Sequence, residues 1–377
     1  MTDINNTFFE LIQVAIGTRI CLSHTPSEDE WGELYAMAKK QSLVGVCFAA
    51  VHKLCNSETS DYCGMNEMLY LIWMGMAAKI QQRNEVVSRQ CVDLQKRLSS
   101  DGWRSCILKG QGNHLNYGTL ATLRQSGDID IWLDGQMEDI IRYVNGISPF
   151  EKINQQHLDL NMFDDTEVEV HFTPSRFANR IVNRRLQAWF GEVRKAQMSN
   201  VQSFGSYGVI TVPTNEFNIV YQLLHIYRHL FNEGIGLRQL MDYYFVLKVD
   251  LDVEGKNKVR RIVSDFGMSK FASALMWVLQ KVFGLRMTGV PWTPNQRDGE
   301  FLLEEIMLMG NFGHSDDRYR LKKDDSHAMH FWQSTRSKLR FIGHFPSEVL
   351  CQPIDMFLRF FEVRALRKKA SGLKYND

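Results

Sequence analysis

The sequence predicts an α+β protein in which a small mixed β-sheet core is flanked by N-terminal and C-terminal helical regions. Apolar residues recur with helical spacing in the first hundred positions, alternate as in strands between about residues 105 and 172, and return to helical spacing afterwards. The 377 residues exceed one ordinary hydrophobic core. We predict a helical cap over 1–100, a core with the sheet over 101–212, and a C-terminal helical domain over 213–377.

Composition narrows the class of protein and its location. Forty-four basic residues against 43 acidic ones leave a net charge of +1, which disfavours nucleic acid as an obligate partner. Seven cysteines show no CxxC spacing, which indicates a reducing compartment. The first residues lack a signal-peptide pattern, and the longest apolar run, 68–78, is too short to span a membrane. We expect a cytoplasmic protein without an integral membrane segment.

The N-terminal part is predicted to be helical and without chemistry of its own. An apolar stripe covers residues 8–16, and Ser27, followed by acidic residues, marks the start of a second helix. Two further helix-like runs, 44–54 and 67–98, are separated by the polar linker 56–61. We expect this part to act as a cap.

The central part has strand periodicity. A buried strand over 105–108 ends at a glycine turn, a short helix follows over 114–117, and a second strand covers 128–133. After a helix that begins near residue 137, the alternating segments 157–162 and 167–172 predict a hairpin.

The C-terminal part is predicted to be mainly helical. A short strand over 209–212 precedes a helix capped by Thr214, and a second helix runs over 237–247. Later helices are expected near 256–283 and 301–309, followed by the glycine-rich loop 310–314. The tail from residue 331 is basic and aromatic. This composition is consistent with a solvated surface and also with a surface that contacts RNA or a membrane.

Three carboxylates in the central part are candidate metal ligands. Asp128 and Asp130 point to the same side of a strand, because side chains alternate with period two. Glu169 lies in the second arm of the hairpin, where Glu167, Asp159 and Glu151 are rivals for the same role. Carboxylate oxygens suit Mg²⁺, with Mn²⁺ as the alternative. Such a set predicts catalysis by metal-bound carboxylates.

A phosphate-binding site is predicted beside these carboxylates. The turn at Gly110 exposes backbone N–H groups, and Lys109, Arg124 and Ser126 offer hydrogen bonds to a triphosphate. Lys109 is alternatively an exposed strand end, and Arg124 is alternatively paired with a carboxylate of its own turn. Together with the carboxylates, this arrangement is typical of nucleotidyl transfer.

An ordered set of motifs resembles the uncharacterised nucleotidyltransferase family (NTP transferase 5 type) of the DNA polymerase beta nucleotidyltransferase superfamily. The motifs are Leu108-Lys109-Gly110, Tyr117-Gly118, Arg124-x-Ser126-Gly127-Asp128-Ile129-Asp130, Val168-Glu169-Val170-His171-Phe172, His225-Ile226-Tyr227-Arg228-His229, Gly234-Ile235-Gly236-Leu237-Arg238-Gln239-Leu240-Met241-Asp242 and Gly310-Asn311-Phe312-Gly313-His314. The resemblance implies a nucleoside triphosphate substrate and places the third carboxylate at Glu169. Lys109-Gly110 stands where the superfamily usually has Gly-Ser.

Further residues are predicted to line the cleft. His225 and His229 are one helical turn apart, which is a metal-ligand spacing, but no third ligand stands nearby in sequence, so we expect them to face the substrate. His171 shares a strand face with Glu169. Arg238 is a further cleft candidate and is most simply an ion pair with Asp242 on the same helix.

The sequence therefore predicts a Mg²⁺-dependent, ATP- or other NTP-using nucleotidyltransferase that releases pyrophosphate. Its acceptor is unidentified, with a small molecule or sugar favoured over nucleic acid. Two alternatives remain: a transferase acting on a cell-surface sugar or lipid precursor, and a catalytically silent nucleotide-binding protein.

Overall fold

A computed structural model describes residues 3–55, 62–150, 152–311 and 327–372. The predicted linker 56–61, the rival carboxylate Glu151 and the motif residues Phe312, Gly313 and His314 lie outside the described residues.

The predicted α+β class is confirmed. The helices are α1 (Asp3–Ile16), α2 (Glu28–Lys40), α3 (Val44–Cys55), α4 (Glu67–Ser100), α5 (Gln111–His114), α6 (Met137–Ile147), α7 (Arg180–Gln197), α8 (Asn215–Asn232), α9 (Leu237–Leu247), α10 (Val253–Asp265), α11 (Ser269–Phe283), α12 (Gln296–Met309), α13 (His327–Leu339) and α14 (Pro346–Gly372). The strands are β1 (Ser105–Ile107), β2 (Ile129–Leu133), β3 (His157–Asp159), β4 (Val168–His171), β5 (Val201–Ser203) and β6 (Val209–Thr211).

Four strands form a mixed sheet in the order β1-β2-β4-β3. The predicted hairpin is confirmed, because β3 and β4 pair antiparallel. The central strands β2 and β4 are parallel, and their register places Asp130 opposite Glu169. Strand β5, which pairs with β6, escaped prediction because its three residues are all exposed and carry no apolar alternation.

The two faces of this sheet pack into different cores. On one face, Ile129, Ile131 and Val170 lie in a core with the apolar side of α6. On the other face, Trp132 stacks on Phe217 of α8, with ring centroids 6.0 Å apart. Because that aromatic contact holds α8 over the sheet, the side chains beside Trp132 face a helix and not open solvent.

The N-terminal helices share their core with the C-terminal helices. Phe8 and Trp31 belong to the same apolar cluster as Phe271 and Phe283. The side chain of Gln13 donates hydrogen bonds to the carbonyl groups of α11. The division at residues 100 and 212 remains a prediction.

Local details differ from the expected helix boundaries. The expected capping of α2 is present, since Ser27 and Glu30 form a reciprocal capping box. Thr214 occupies the N-cap of α8 without capping it, because its hydroxyl bonds to Gln197. The helix expected over 114–117 begins earlier, at Gln111, and ends at His114.

None of the described helices is both long and apolar enough to cross a membrane.

Candidate active site

Three predicted carboxylates meet on the sheet face that α8 covers. Oxygen atoms of Asp128, Asp130 and Glu169 all lie within 4.8 Å of one another. Asp130 and Glu169 are register partners on the parallel strands, and Asp128 precedes β2 on the same side as Asp130. Three carboxylates at this separation offer hard oxygen ligands and repel one another, so the donor set fits a divalent cation such as Mg²⁺.

Two side-chain nitrogen atoms lie against the buried carboxylate of this set. Lys109 Nζ lies 2.7 Å from Asp130 Oδ1, and His171 Nε2 lies 2.9 Å from the same oxygen. His171 Nε2 is also 3.4 Å from Glu169 Oε2. Lys109 is therefore not the exposed strand end of the alternative interpretation. It stabilises a carboxylate, and His171 links two of them.

The pKa values follow this arrangement. Burial acts to raise the pKa of Asp130, but the charge of Lys109 and the hydrogen bond from His171 outweigh it and hold the pKa well below its usual range. Repulsion by Asp130, with burial second, raises the pKa of Asp128 to about 6. Burial lowers the pKa of His171, yet its hydrogen bonds to Asp130 and Glu169 raise it overall. The cluster keeps Asp130 ionised and concentrates the repulsion on Asp128.

His157 is a site residue that the sequence analysis missed. It lies directly opposite His171 on β3, with its Nδ1 atom 3.2 Å from Glu169 Oε2. A cross-strand histidine in a hairpin beside Glu169 was the available signal, but register was needed to read it.

The proton on His157 is fixed by Asn154. Asn154 Oδ1 accepts the backbone N–H groups of Gln156 and His157, which turns its amide nitrogen toward His157 Nε2, 2.7 Å away. That ring nitrogen then accepts, which assigns the proton to Nδ1, 3.2 Å from Glu169 Oε2 but without a hydrogen bond to it. Although His157, Glu169 and His171 also lie within metal-binding distance of one another, a protonated Nδ1 is not a ligand. This geometry favours the three carboxylates as the metal site.

Helices α8 and α9 supply the other wall of a cleft. The cavity has a volume of about 210 Å³, below the roughly 300 Å³ of typical ligand pockets. Its lining combines residues of the mixed sheet and its loops with residues of α8, α9 and the turn between these helices: Lys109, Gly110, Arg124, Gly127, Asp128, Asp130, His157, Glu169, Gln222, His225, Arg228, His229, Glu233, Arg238, Gln239 and Asp242. The predicted cleft residues thus converge, and His171 lies behind them.

The two helix histidines are held neutral in this cleft. Burial, followed by the charge of Lys109, lowers the pKa of His225 well below its ordinary value. Burial also lowers the pKa of His229, whose Nδ1 lies 2.9 Å from Glu233 Oε2. Both histidines line the cleft from α8, and their contact with a substrate stays a prediction.

Arg124 forms an ion pair with a carboxylate that is distant in sequence. Its Nε and Nη2 donate to the two oxygens of Asp242 on α9, each at 2.7 Å, and Tyr117 donates to the same carboxylate. The structural alternative for Arg124 is thus favoured, with a partner on α9 and not in its own turn. Arg238 Nη1 donates to the Gln125 carbonyl at 2.9 Å. Burial lowers the pKa of Arg238, and the charge of Asp242 acts against that shift, so the expected Arg238–Asp242 pair stays a prediction.

The turn after β1 has the conformation that glycine allows. Gly110 adopts a φ of +49°, and it lines the cleft beside Lys109. The helix that follows spans four residues, so its dipole is short. Ser126 does not line the cavity, and its buried Oγ has no hydrogen-bond partner among the described residues.

A larger cavity of about 570 Å³ lies elsewhere, between α9 and the segment after α11. Its lining includes one carboxylate, Asp250, which pairs with Lys256 at 3.0 Å. It therefore lacks the grouped carboxylates of the smaller cleft.

Two comparisons with known proteins find a similarity, and one finds none. A solved structure of an antigenic nucleotidyltransferase-like protein from Paracoccidioides brasiliensis is similar at 15% identity and a TM-score of 0.30, over 51% of this chain and 91% of that one. No curated protein matches the sequence. The family model described as an uncharacterised nucleotidyltransferase matches residues 27–284, well over half of the chain.

Proposed function

We propose that this chain, which belongs to the uncharacterised nucleotidyltransferase family, moves a nucleoside monophosphate from an NTP to an acceptor hydroxyl or phosphate and releases pyrophosphate. Family membership makes the protein a transferase. The observation that carries the reaction is the grouping of Asp128, Asp130 and Glu169 within 4.8 Å, opposite a helical wall that presents arginine.

The carboxylates are the proposed holders of Mg²⁺, with Mn²⁺ as a substitute. A divalent cation supplies Lewis-acid stabilisation of the phosphate charge and favours the ionised acceptor. Lys109 keeps Asp130 ionised and in place, at 2.7 Å. Glu169 faces the cleft as ligand or as the base that accepts the acceptor proton.

The triphosphate is proposed to lie between the Gly110 turn and α9. A Cβ atom at Gly127 would lie 3.8 Å from Arg238 Nη1, so this guanidinium lies close to the loop that leads into Asp128. Arg228 lines the same cleft from α8. Planar guanidinium groups suit phosphate oxygens, which supports Arg238 and Arg228 beside the predicted contacts of Lys109, Gly110 and Ser126.

The test measures pyrophosphate release from each of the four NTPs, with Mg²⁺ or EDTA, against panels of sugars, sugar phosphates, lipid precursors and small alcohols. Glu169→Gln is the decisive variant, and Glu167→Gln is its matched control because Glu167 is an exposed glutamate outside the cluster. We expect release to need Mg²⁺ and Glu169 and to survive the control substitution.

A catalytically silent binding protein would behave differently in calorimetry. NTP binding that is indifferent to Mg²⁺ and unchanged by Asp128→Asn with Asp130→Asn would overturn the proposed reaction. Activity that appears only with a lipid precursor would name the acceptor class.

A further inference from the structure

The outward side of α14 is an exposed apolar stripe. Leu350, Ile354, Phe357 and Phe361 are 61%, 63%, 61% and 54% exposed. Their spacing of four, three and four residues places them on one side of the helix. Exposed aromatic and aliphatic side chains in a continuous helical stripe indicate a binding surface, because scattered apolar residues do not follow such a period.

The acidic side chains of the same helix lie off the apolar stripe, since two are buried and the third, Glu362, lies to the side with its side chain 40% exposed. Glu348 and Asp355 are each 6% exposed, and Asp355 pairs with Arg176 at 2.7 Å. Glu362 pairs with Arg180. These are the three acidic residues in α14. The apolar stripe itself therefore carries no carboxylate.

Cationic side chains continue the stripe toward the C-terminus. Arg364 and Lys368 follow Phe361 by three and seven residues, on the same side of the helix, and both are exposed. The chain as a whole carries a net charge of only +1. The outward side of α14 thus concentrates positive charge next to apolar surface.

The combination of apolar and cationic side chains on α14 indicates which kind of partner binds there. A lipid surface accepts aliphatic, aromatic and cationic groups together, and anionic headgroups complement the lysine and arginine. RNA offers no apolar layer for Leu350 and Ile354. A second copy of this face would bring no carboxylate to Arg364 and Lys368. We propose that α14 lies in the plane of a membrane surface that contains anionic lipids, with its apolar stripe in the headgroup region.

The docked helix is connected to the candidate active site. Gln155, in the loop that leads into β3, donates a hydrogen bond to Glu362. The neighbouring Asn154 orients His157 in the cleft. These contacts link α14 to the loop that orients His157, and the proposed docking stands independently of the proposed reaction.

Vesicle flotation of the full chain tests this proposal. The probes are phosphatidylcholine vesicles with and without phosphatidylglycerol, and the variants are Phe357→Ser with Phe361→Ser, and Arg364→Glu with Lys368→Glu. We expect the wild type to bind the anionic vesicles and each double variant to weaken that binding about tenfold or more. Added salt should weaken the wild type as well.

Leu71→Ser with Ile72→Ser is the matched control, because it removes two exposed apolar side chains from α4, 46% and 47% exposed. Circular dichroism checks that every variant folds, and the control should bind vesicles as the wild type does. Flotation that is absent, or equal in all variants, would overturn the proposal. So would a concentration-dependent dimer abolished by the phenylalanine substitutions, or RNA binding that needs the cations alone.

Discussion

Two charged clusters line the cleft, and they differ in how their charges balance. On the helical side, one guanidinium meets one carboxylate through two hydrogen bonds of 2.7 Å, in Arg124 and Asp242. On the sheet side, the carboxylates of Asp128, Asp130 and Glu169 share Lys109 and the imidazole of His171.

We propose that this difference separates a structural contact from a reactive one. In the balanced pair, Arg124 and Asp242 satisfy each other's charge and hydrogen bonds and join the loop before β2 to α9. The pair therefore needs no ligand to balance its charge. The unbalanced cluster keeps an excess of negative charge in a partly buried place, which favours a bound cation. Substitution of one cluster should change chemistry, and substitution of the other should change stability.

The largest expected effect is on activity. Asp130→Asn removes the carboxylate that Lys109 and His171 both contact, and we expect pyrophosphate release to fall by about 10³- to 10⁴-fold, since the metal site loses a central ligand. Steady-state kinetics at saturating NTP measures the loss. Activity within tenfold of the wild type would show that the sheet cluster is not the reactive one.

The next effect is on stability. Arg124→Met leaves the Asp242 carboxylate buried without its guanidinium, so we expect a loss of about 3–5 kcal/mol in the free energy of unfolding. Arg124→Met with Asp242→Leu removes both charges and should recover most of that loss. Urea unfolding measures both variants. A double variant no more stable than the single one would mean that the pair does more than balance charge.

Metal binding should stabilise the unbalanced cluster selectively. Mg²⁺ or Mn²⁺ at one hundred times its dissociation constant should stabilise the folded chain by about 2.7 kcal/mol, because only the folded state groups the carboxylates. Thermal melting with and without metal measures this. The gain should vanish in Asp128→Asn and persist in Glu167→Gln, and equal gains in both would place the ion elsewhere.

The smallest effect concerns a single unbalanced carboxyl on α14. Burial raises the pKa of Glu348 to about 7, against the backbone N–H of Ala178 and the amide of Gln352, which lower it. A carboxyl with a raised folded pKa contributes stability below its unfolded pKa of 4.5 and loses it as pH rises through about 7.

Glu348→Gln should therefore flatten the decline in stability between about pH 5 and pH 8 and make the chain more stable at pH 8 by about 1–2 kcal/mol. Urea midpoints measured across that range check this expectation. Glu167→Gln, at an exposed position, should leave the profile unchanged. An unaltered slope in Glu348→Gln would show that this carboxyl is ionised throughout.

Much of the candidate site was readable from local pattern. Period-two alternation placed Asp128 and Asp130 on one side of β2, and Glu169 and His171 on one side of β4. Alternation says nothing about which strands are neighbours. For that reason His157 went unnoticed, and four carboxylates competed for the place that the parallel register of β2 and β4 brings to Glu169.

The sequence by itself determined the class of fold, the paired carboxylates Asp128 and Asp130 and the family motifs, because periodicity and short spacings are local properties of the chain. The tertiary structure alone decided the partners. Arg124 and Asp242 are 118 positions apart, and Asp130 and His171 are 41 apart. Such pairs form only when strands and helices pack, because a buried charge costs free energy unless an opposite charge lies beside it. Packing therefore separated the balanced cluster from the one that favours a metal ion.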